Sequence, residues 1–223
     1  MNNNPEFLRN LWLELTPHRL IGMPVVLLAV FFLIYLVTGH AFSDPTRITA
    51  MTLYFVLALL WGTRLAGEAL VNEVQDRTWD QQRMSSISPW AMAWGKLFGS
   101  TIYTWYGAII CLLIYAVSAM QTNQADVIKQ VIFMLAIVVF GQSVALLSSM
   151  QNIKTYHRSA STAFMVMGII VALPLISWGF NETGYLSWYS QQYRALDFLM
   201  VSVVCFAGWS LVGIYRKMRE ELQ

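Results

Sequence analysis

Charged side chains are scarce in this sequence. Asp, Glu, Lys and Arg make up 12% of 223 residues, against about a quarter in soluble domains. With 57% hydrophobic residues and a mean hydropathy of +0.53, that scarcity excludes an ordinary water-soluble domain. The net charge of +2 is too small for a nucleic-acid partner to be expected. Cysteine is equally sparse. Cys111 and Cys205 both fall in apolar runs without CxxC spacing or a nearby His, so neither a disulfide framework nor a metal site is expected. The sequence lacks a G-x-x-x-x-G-K-[ST] loop, so it carries no phosphate cradle of its own. No cleavable leader is expected at the polar start MNNNPEFLRN.

What the chain does have is apolar runs of membrane length. Six are expected, at about residues 20–37, 49–69, 97–120, 127–149, 160–178 and 198–215. Each has about 18–23 residues, matching a hydrocarbon layer of roughly 30 Å. The fold class is therefore an all-α integral membrane protein, with 1–223 as a single transmembrane domain. Ahead of the first span, residues 4–15 read as an amphipathic helix capped by Asn4 and started by Pro5. Phe7, Leu8, Leu11, Trp12 and Leu15 form its apolar face, and it should lie flat in the membrane interface. Thr16-Pro17, Asp44-Pro45 and Ser88-Pro89 repeat the cap-plus-proline signal at later helix starts. Only Pro24 and Pro174 fall within spans.

Lys and Arg set the orientation. With both termini in the cytoplasm, the inner side carries 11 of the 14 cations (Arg9, Arg19, Arg64, Arg77, Arg83, Lys96, Lys154, Arg158, Arg216, Lys217 and Arg219) and the outer side carries Arg47, Lys129 and Arg194. A multi-pass protein of a bacterial inner membrane follows.

The longest polar interruption, between the second and third spans, contains Glu73, Asp76, Arg77, Asp80 and Arg83. Within it, Thr78-Trp79-Asp80-Gln81 has capping-box spacing, so a short cytoplasmic helix should start near Trp79 and stop before Ser88-Pro89. Taken alone, this is equally well a solvated loop. Arg64 and Glu68, four apart at the inner end of span two, can pair as an inner gate or as a headgroup-level ion pair. No charge is expected deeper in the membrane. Gln142 and Ser143 in span four, and Ser100, Thr101 and Thr104 near span three, suit interhelical hydrogen bonds better than a pathway lining. Trp178, Phe180, Tyr185, Trp188, Tyr189 and Tyr193 cluster between spans five and six on the outer side, the position of an aromatic belt. The 12 methionines are scattered, and His18, His40 and His157 sit in loops on both sides. Core filling and surface location explain them better than metal or haem ligation.

The run from Glu73 to Leu97 resembles the signature of the permease subunits of type-2 ATP-binding-cassette (ABC) exporters, roughly E-x-x-x-G-T-L-E-Q-L-L-x-S-P-V-S-P-W-E-x-x-x-G-K. Glu73, Thr78, Gln81, Ser85, Ser88, Pro89, Trp90, Gly95 and Lys96 match it. Asp80 replaces Glu, Trp79 replaces Leu and Ile87 replaces Val. The sequence departs at Arg77, where the pattern has Gly, at Ser86, where it has Pro, and at Gln82 and Arg83, where it has Leu. The resemblance implies a dimer of permeases, a homodimer in preference to a heterodimer, embedded in membrane lipid. Each copy would dock a separate ATPase through a coupling segment formed by Glu73, Asp76, Arg77, Thr78, Trp79, Asp80, Gln81 and Arg83. ATP and Mg would be bound by that partner, with no cofactor and no catalysis in this chain. The outer aromatics resemble short outer helices of the family that dip into the membrane and gate exit. Two alternatives remain: a haem-exporter-like permease of cytochrome c maturation, or a non-transporting membrane scaffold or assembly factor.

Overall fold

Helix starts follow the cap-plus-proline dipeptides closely. In a computed structural model that describes residues 4–39, 44–84, 87–122, 126–151, 166, 169–170, 172–176 and 184–222, α1 runs over Pro5–Glu14, and the Asn4 side chain accepts from the amides of Glu6 and Phe7. The second helix, α2, covers Pro17–Val37, although Thr16 makes no side-chain cap bond. Next, α3 (Asp44–Tyr54) continues through a π-helical stretch, Phe55–Trp61, into α4 (Gly62–Gln75). A five-residue helix, α5 (Trp79–Arg83), precedes α6 (Pro89–Trp94), where Ser88 accepts from the Ala91 amide as a cap should. A second π-helical stretch, Gly95–Gly99, leads to α7 (Ile102–Gln121), and α8 covers Val127–Gln151. A hairpin of β1 (Tyr185–Trp188) and β2 (Gln191–Arg194) then runs into α9 (Ala195–Leu222).

Among the described residues, five helices are long and apolar enough to cross a membrane: Pro17–Val37, Asp44–Gln75, Ile102–Gln121, Val127–Gln151 and Ala195–Leu222. The expected fifth span, 160–178, lies largely outside the described residues; its positions 172–176 are helical, and Ala172 is buried in the main core. Large apolar side chains such as Leu28, Phe32, Val201 and Trp209 stand exposed on the outside of these helices, as a lipid-facing surface requires.

Helices α8 and α9 lie along each other, α4 packs on α8, and α3 packs on α7. The main core gathers Tyr54, Tyr115, Phe133, Met134 and Ile137. Their polar tips are satisfied: Tyr54 donates to the Met134 carbonyl at 3.0 Å and Tyr115 to Gln130 at 2.6 Å. The π-helical stretch in the second span releases backbone carbonyls from regular pairing. Gln142 of α8 donates to that of Ala58 at 2.8 Å and accepts from the Trp105 indole at 3.1 Å. Gln142 is thus an interhelical tie. A second apolar cluster, with Leu70, Trp79, Met92, Leu97, Met150 and Ile214, closes the end of the bundle where α4, α5 and α6 meet.

Two local expectations fail. The capping box at Thr78 does not form. Thr78 is helical in φ and ψ and makes no cap bond, and its hydroxyl instead donates to the Glu73 carbonyl at 3.2 Å. The preceding α4 ends only three residues upstream, at Gln75, so Thr78 serves the end of that helix rather than the start of the next. The outer aromatic segment, where described, is a β-hairpin rather than a helix. It turns at Tyr189 and Ser190, both left-handed at φ 49° and 65°, the twist of a two-residue hairpin.

Candidate functional site

The site is built around one buried cation. Lys96 lies in the second π-helical stretch and is 1% exposed. A lone ammonium there would be strongly destabilising, so its surroundings must be polar. Its Nζ donates to Gln82 Oε1 at 2.9 Å, to Glu6 Oε1 at 3.4 Å and to the Glu73 carboxylate. An ammonium has three donors, and three acceptors meet them. The Trp79 ring centroid lies 5.2 Å from the same Nζ, within cation–π range.

Three separate elements supply this shell. Glu73 comes from the last turn of α4, Trp79 and Gln82 from α5, and Glu6 from α1. Arg9 of α1 closes the ring, bonding Glu6 at 2.9 Å and Glu73 at 2.6 Å. The Gln82 amide also donates to Glu73 at 3.0 Å. Two carboxylates face two cations, so the cluster is neutral as a unit. Buried charges persist only when paired and hydrogen-bonded in this way.

Helix α1 reaches the cluster because glycines let it. A Cβ on Gly95 would lie 2.6 Å from Glu6 Cγ and 3.1 Å from the Phe7 amide nitrogen, and one on Gly99 would lie 3.0 Å from Asn10 Cβ. Gly95-Lys96-Leu97-Phe98-Gly99 is a G-x-x-x-G seat, the spacing that brings helices close. Side chains of α1 fasten it further. Asn4 donates to the Ala91 carbonyl at 2.6 Å and Asn10 to that of Gly95 at 3.2 Å. Beside the seat, an open cleft of about 260 Å³ is lined by Glu6, Arg9, Glu14, Glu68, Asn72 and Ser100, among others.

The expected coupling residues divide into two sets. Trp79 is buried with Gln82 beneath α5, and Glu73 is largely covered. Asp76, Arg77, Thr78, Asp80, Gln81 and Arg83 are exposed, with Met84 beside them. Trp79 therefore anchors the short helix and takes no part in its outward face. Gln82 belongs to the buried network, although its polarity alone would suggest the outward face. Arg77 adopts φ 56° directly after α4, a left-handed helix-end position that favours glycine. The chain keeps the geometry and substitutes the residue.

Arg64 and Glu68 pair at 3.0 Å on one face of α4, with Arg64 exposed and Glu68 facing the cleft. Among the outer aromatics, Tyr185, Trp188 and Tyr189 lie on the hairpin and its turn. Trp188 and Tyr193 pack against Phe198 of α9, whereas Trp178 and Phe180 lie outside the described residues. The hairpin is tied down by charge: Arg194 pairs with Asp126, and Lys129 bridges Asp126 at 3.5 Å and Asp197 at 2.6 Å. The Arg194 hydrogen bond and charge hold the Asp126 carboxyl below its ordinary range. Among the described residues no group of three His, Cys, Asp or Glu could hold a metal ion.

Sequence reasoning misses the cluster of Glu6, Arg9 and Gln82 and the burial of Lys96, which in the sequence reads as a topology signal and as the last matching residue of the motif. The G-x-x-x-G around Lys96 was the available clue. Comparison with protein-family models, with curated proteins and with solved structures finds no match for the chain.

Proposed function

We propose that this protein is the permease subunit of an ABC exporter in a bacterial inner membrane. It forms the translocation pathway as a dimer and takes force from a separate ATPase that binds ATP and Mg. The chain itself is not an enzyme. The observation that carries this reading is α5. Its outward face carries the exposed Asp80 and Arg83, and the exposed Asp76 and Arg77 lead into it. Its inward face is locked through Gln82, Trp79 and Lys96 to the end of one long helix and the beginning of another. A short helix fixed in this way moves with the membrane helices as one body. A push on its outer face reaches α4 and α7 without being lost in loop motion.

The Glu73–Lys96 spacing in the sequence gives the same reading, since both ends of the resembling motif meet in one ion pair. The test is co-purification from the native membrane, followed by charge reversal of Asp76, Asp80 and Arg83 with Trp79 left in place. An ATPase should accompany the wild-type chain and be lost from the variant. Purification without any ATPase would favour the scaffold alternative.

A further inference from the structure

Helix α1 has two unlike edges. The inward edge holds Glu6, Arg9 and Asn10 in the Lys96 network. The outward edge bears Leu8 and Trp12, the latter 80% exposed. Only Leu15 and Thr16 separate α1 from α2, whose first turns expose Leu20 and Ile21. Exposed apolar side chains thus lie both on α1 and on the start of the membrane-length α2, with the exposed His18 and Arg19 at the junction between them. One medium must cover both, and for α2 that medium is lipid. A Trp on such an edge sits at headgroup depth. The bend between the two helices is fixed by Arg19, which bonds Glu14 at 2.6 Å and lies 5.5 Å from the Tyr103 ring centroid.

The two edges are mechanically joined. Lys96 is held by α1 through Glu6, and it holds α5 through Gln82 and the Trp79 ring. Arg9 of α1 shares Glu73 with the same Gln82. If α1 leaves its seat, Lys96 and Glu73 lose partners that α5 alone does not replace.

We propose that the lipid surface of the inner leaflet is a ligand of α1, and that the Glu6–Lys96–Glu73 clamp converts its occupancy into order in α5. The membrane therefore regulates how firmly the short helix is held. The linkage stands on the geometry of this chain alone. Its consequence for transport rests on the exporter reading above.

The test needs no ATPase, so its failure is distinct from failure of that reading. Full-length protein is placed in vesicles of phosphatidylethanolamine and phosphatidylglycerol, and amide exchange is followed in α1 and α5. Trp12→Gln removes lipid contact with little loss of internal packing, since that side chain is 80% exposed. Exchange in both α1 and α5 should rise about tenfold, an ordinary range for local opening, while α7 and α8 stay protected. The same substitution in a Lys96→Met background should leave α5 unchanged relative to Lys96→Met alone, because the link is already cut. Unchanged exchange in α1 would show that the bilayer does not hold it. A rise in α1 without one in α5 would show that the clamp does not transmit. An equal rise in α5 with and without Lys96 would assign the link to other contacts. Each of these three results overturns the proposal.

Discussion

Replacing Lys96 by Met tests the buried cluster at its centre. The substitution nearly conserves length and removes one charge and three donors. Glu6 and Glu73 would then share a single cation, Arg9, which already bonds both. At the 3.4 Å separation of Lys96 and Glu6, unit charges attract by about 5 kcal/mol at an effective dielectric near 20. Removing one partner of a buried pair costs about 3–5 kcal/mol. Because Arg9 remains, a loss of about 3 kcal/mol is expected. Adding Glu73→Gln restores the balance of one carboxylate and one cation, and should recover about 1–2 kcal/mol despite being a second lesion. Unfolding in mixed micelles, followed by circular dichroism at increasing mole fraction of a denaturing detergent, measures all three proteins. A loss below about 1 kcal/mol in Lys96→Met, or a double variant weaker than the single, would refute the argument that this network holds α1 and α5.

Arg77→Gly should stabilise the protein by about 1 kcal/mol, since a left-handed residue with a Cβ is strained by about 1–2 kcal/mol and the glycine returns part of that as backbone entropy; the same unfolding titration reads it. Gly95→Ala should cost about 1–3 kcal/mol by forcing α1 off its seat, whereas Gly208→Ala, where an added Cβ meets nothing within 4 Å, should not destabilise. The outer latch should respond to acid. The folded Asp126 carboxyl sits below its ordinary value of 3.8, so its contribution is complete above that pH and is lost as pH falls through the lower folded value. A fluorophore on Tyr189→Cys in a Cys205→Ser background should therefore report a loosened hairpin only below about pH 4, and loosening between pH 7 and 5 would contradict the assignment.

Much of the fold was legible because its signals are local. Asn4-Pro5 and Ser88-Pro89 begin helices by satisfying amides that have no partner within the helix, and long apolar runs leave little choice but to span. The Thr78 box misled because the same hydroxyl can serve the carbonyl end of the preceding helix, and α4 ends too close for both roles. The hairpin escaped notice because Tyr189-Ser190 lacks the Asn-Gly chemistry that announces a left-handed turn. The network around Lys96 was hidden for a different reason. Its members are separated by as many as 90 positions, and a lysine at a span's edge reads first as a topology marker. Only the close approach permitted by Gly95 and Gly99 turns that marker into a buried ion.

In the proposed exporter, α5 is gripped from outside by the ATPase while held from inside by the Lys96 network. A photo-crosslinking residue placed singly at Asp80, Arg83, Trp79 or Gln82 in native membranes tests it most directly. Adducts with an ATPase are expected from Asp80 and Arg83, and only intramolecular adducts from Trp79 and Gln82. ATPase adducts absent from all four positions, or arising from Trp79 and Gln82 instead, would contradict it.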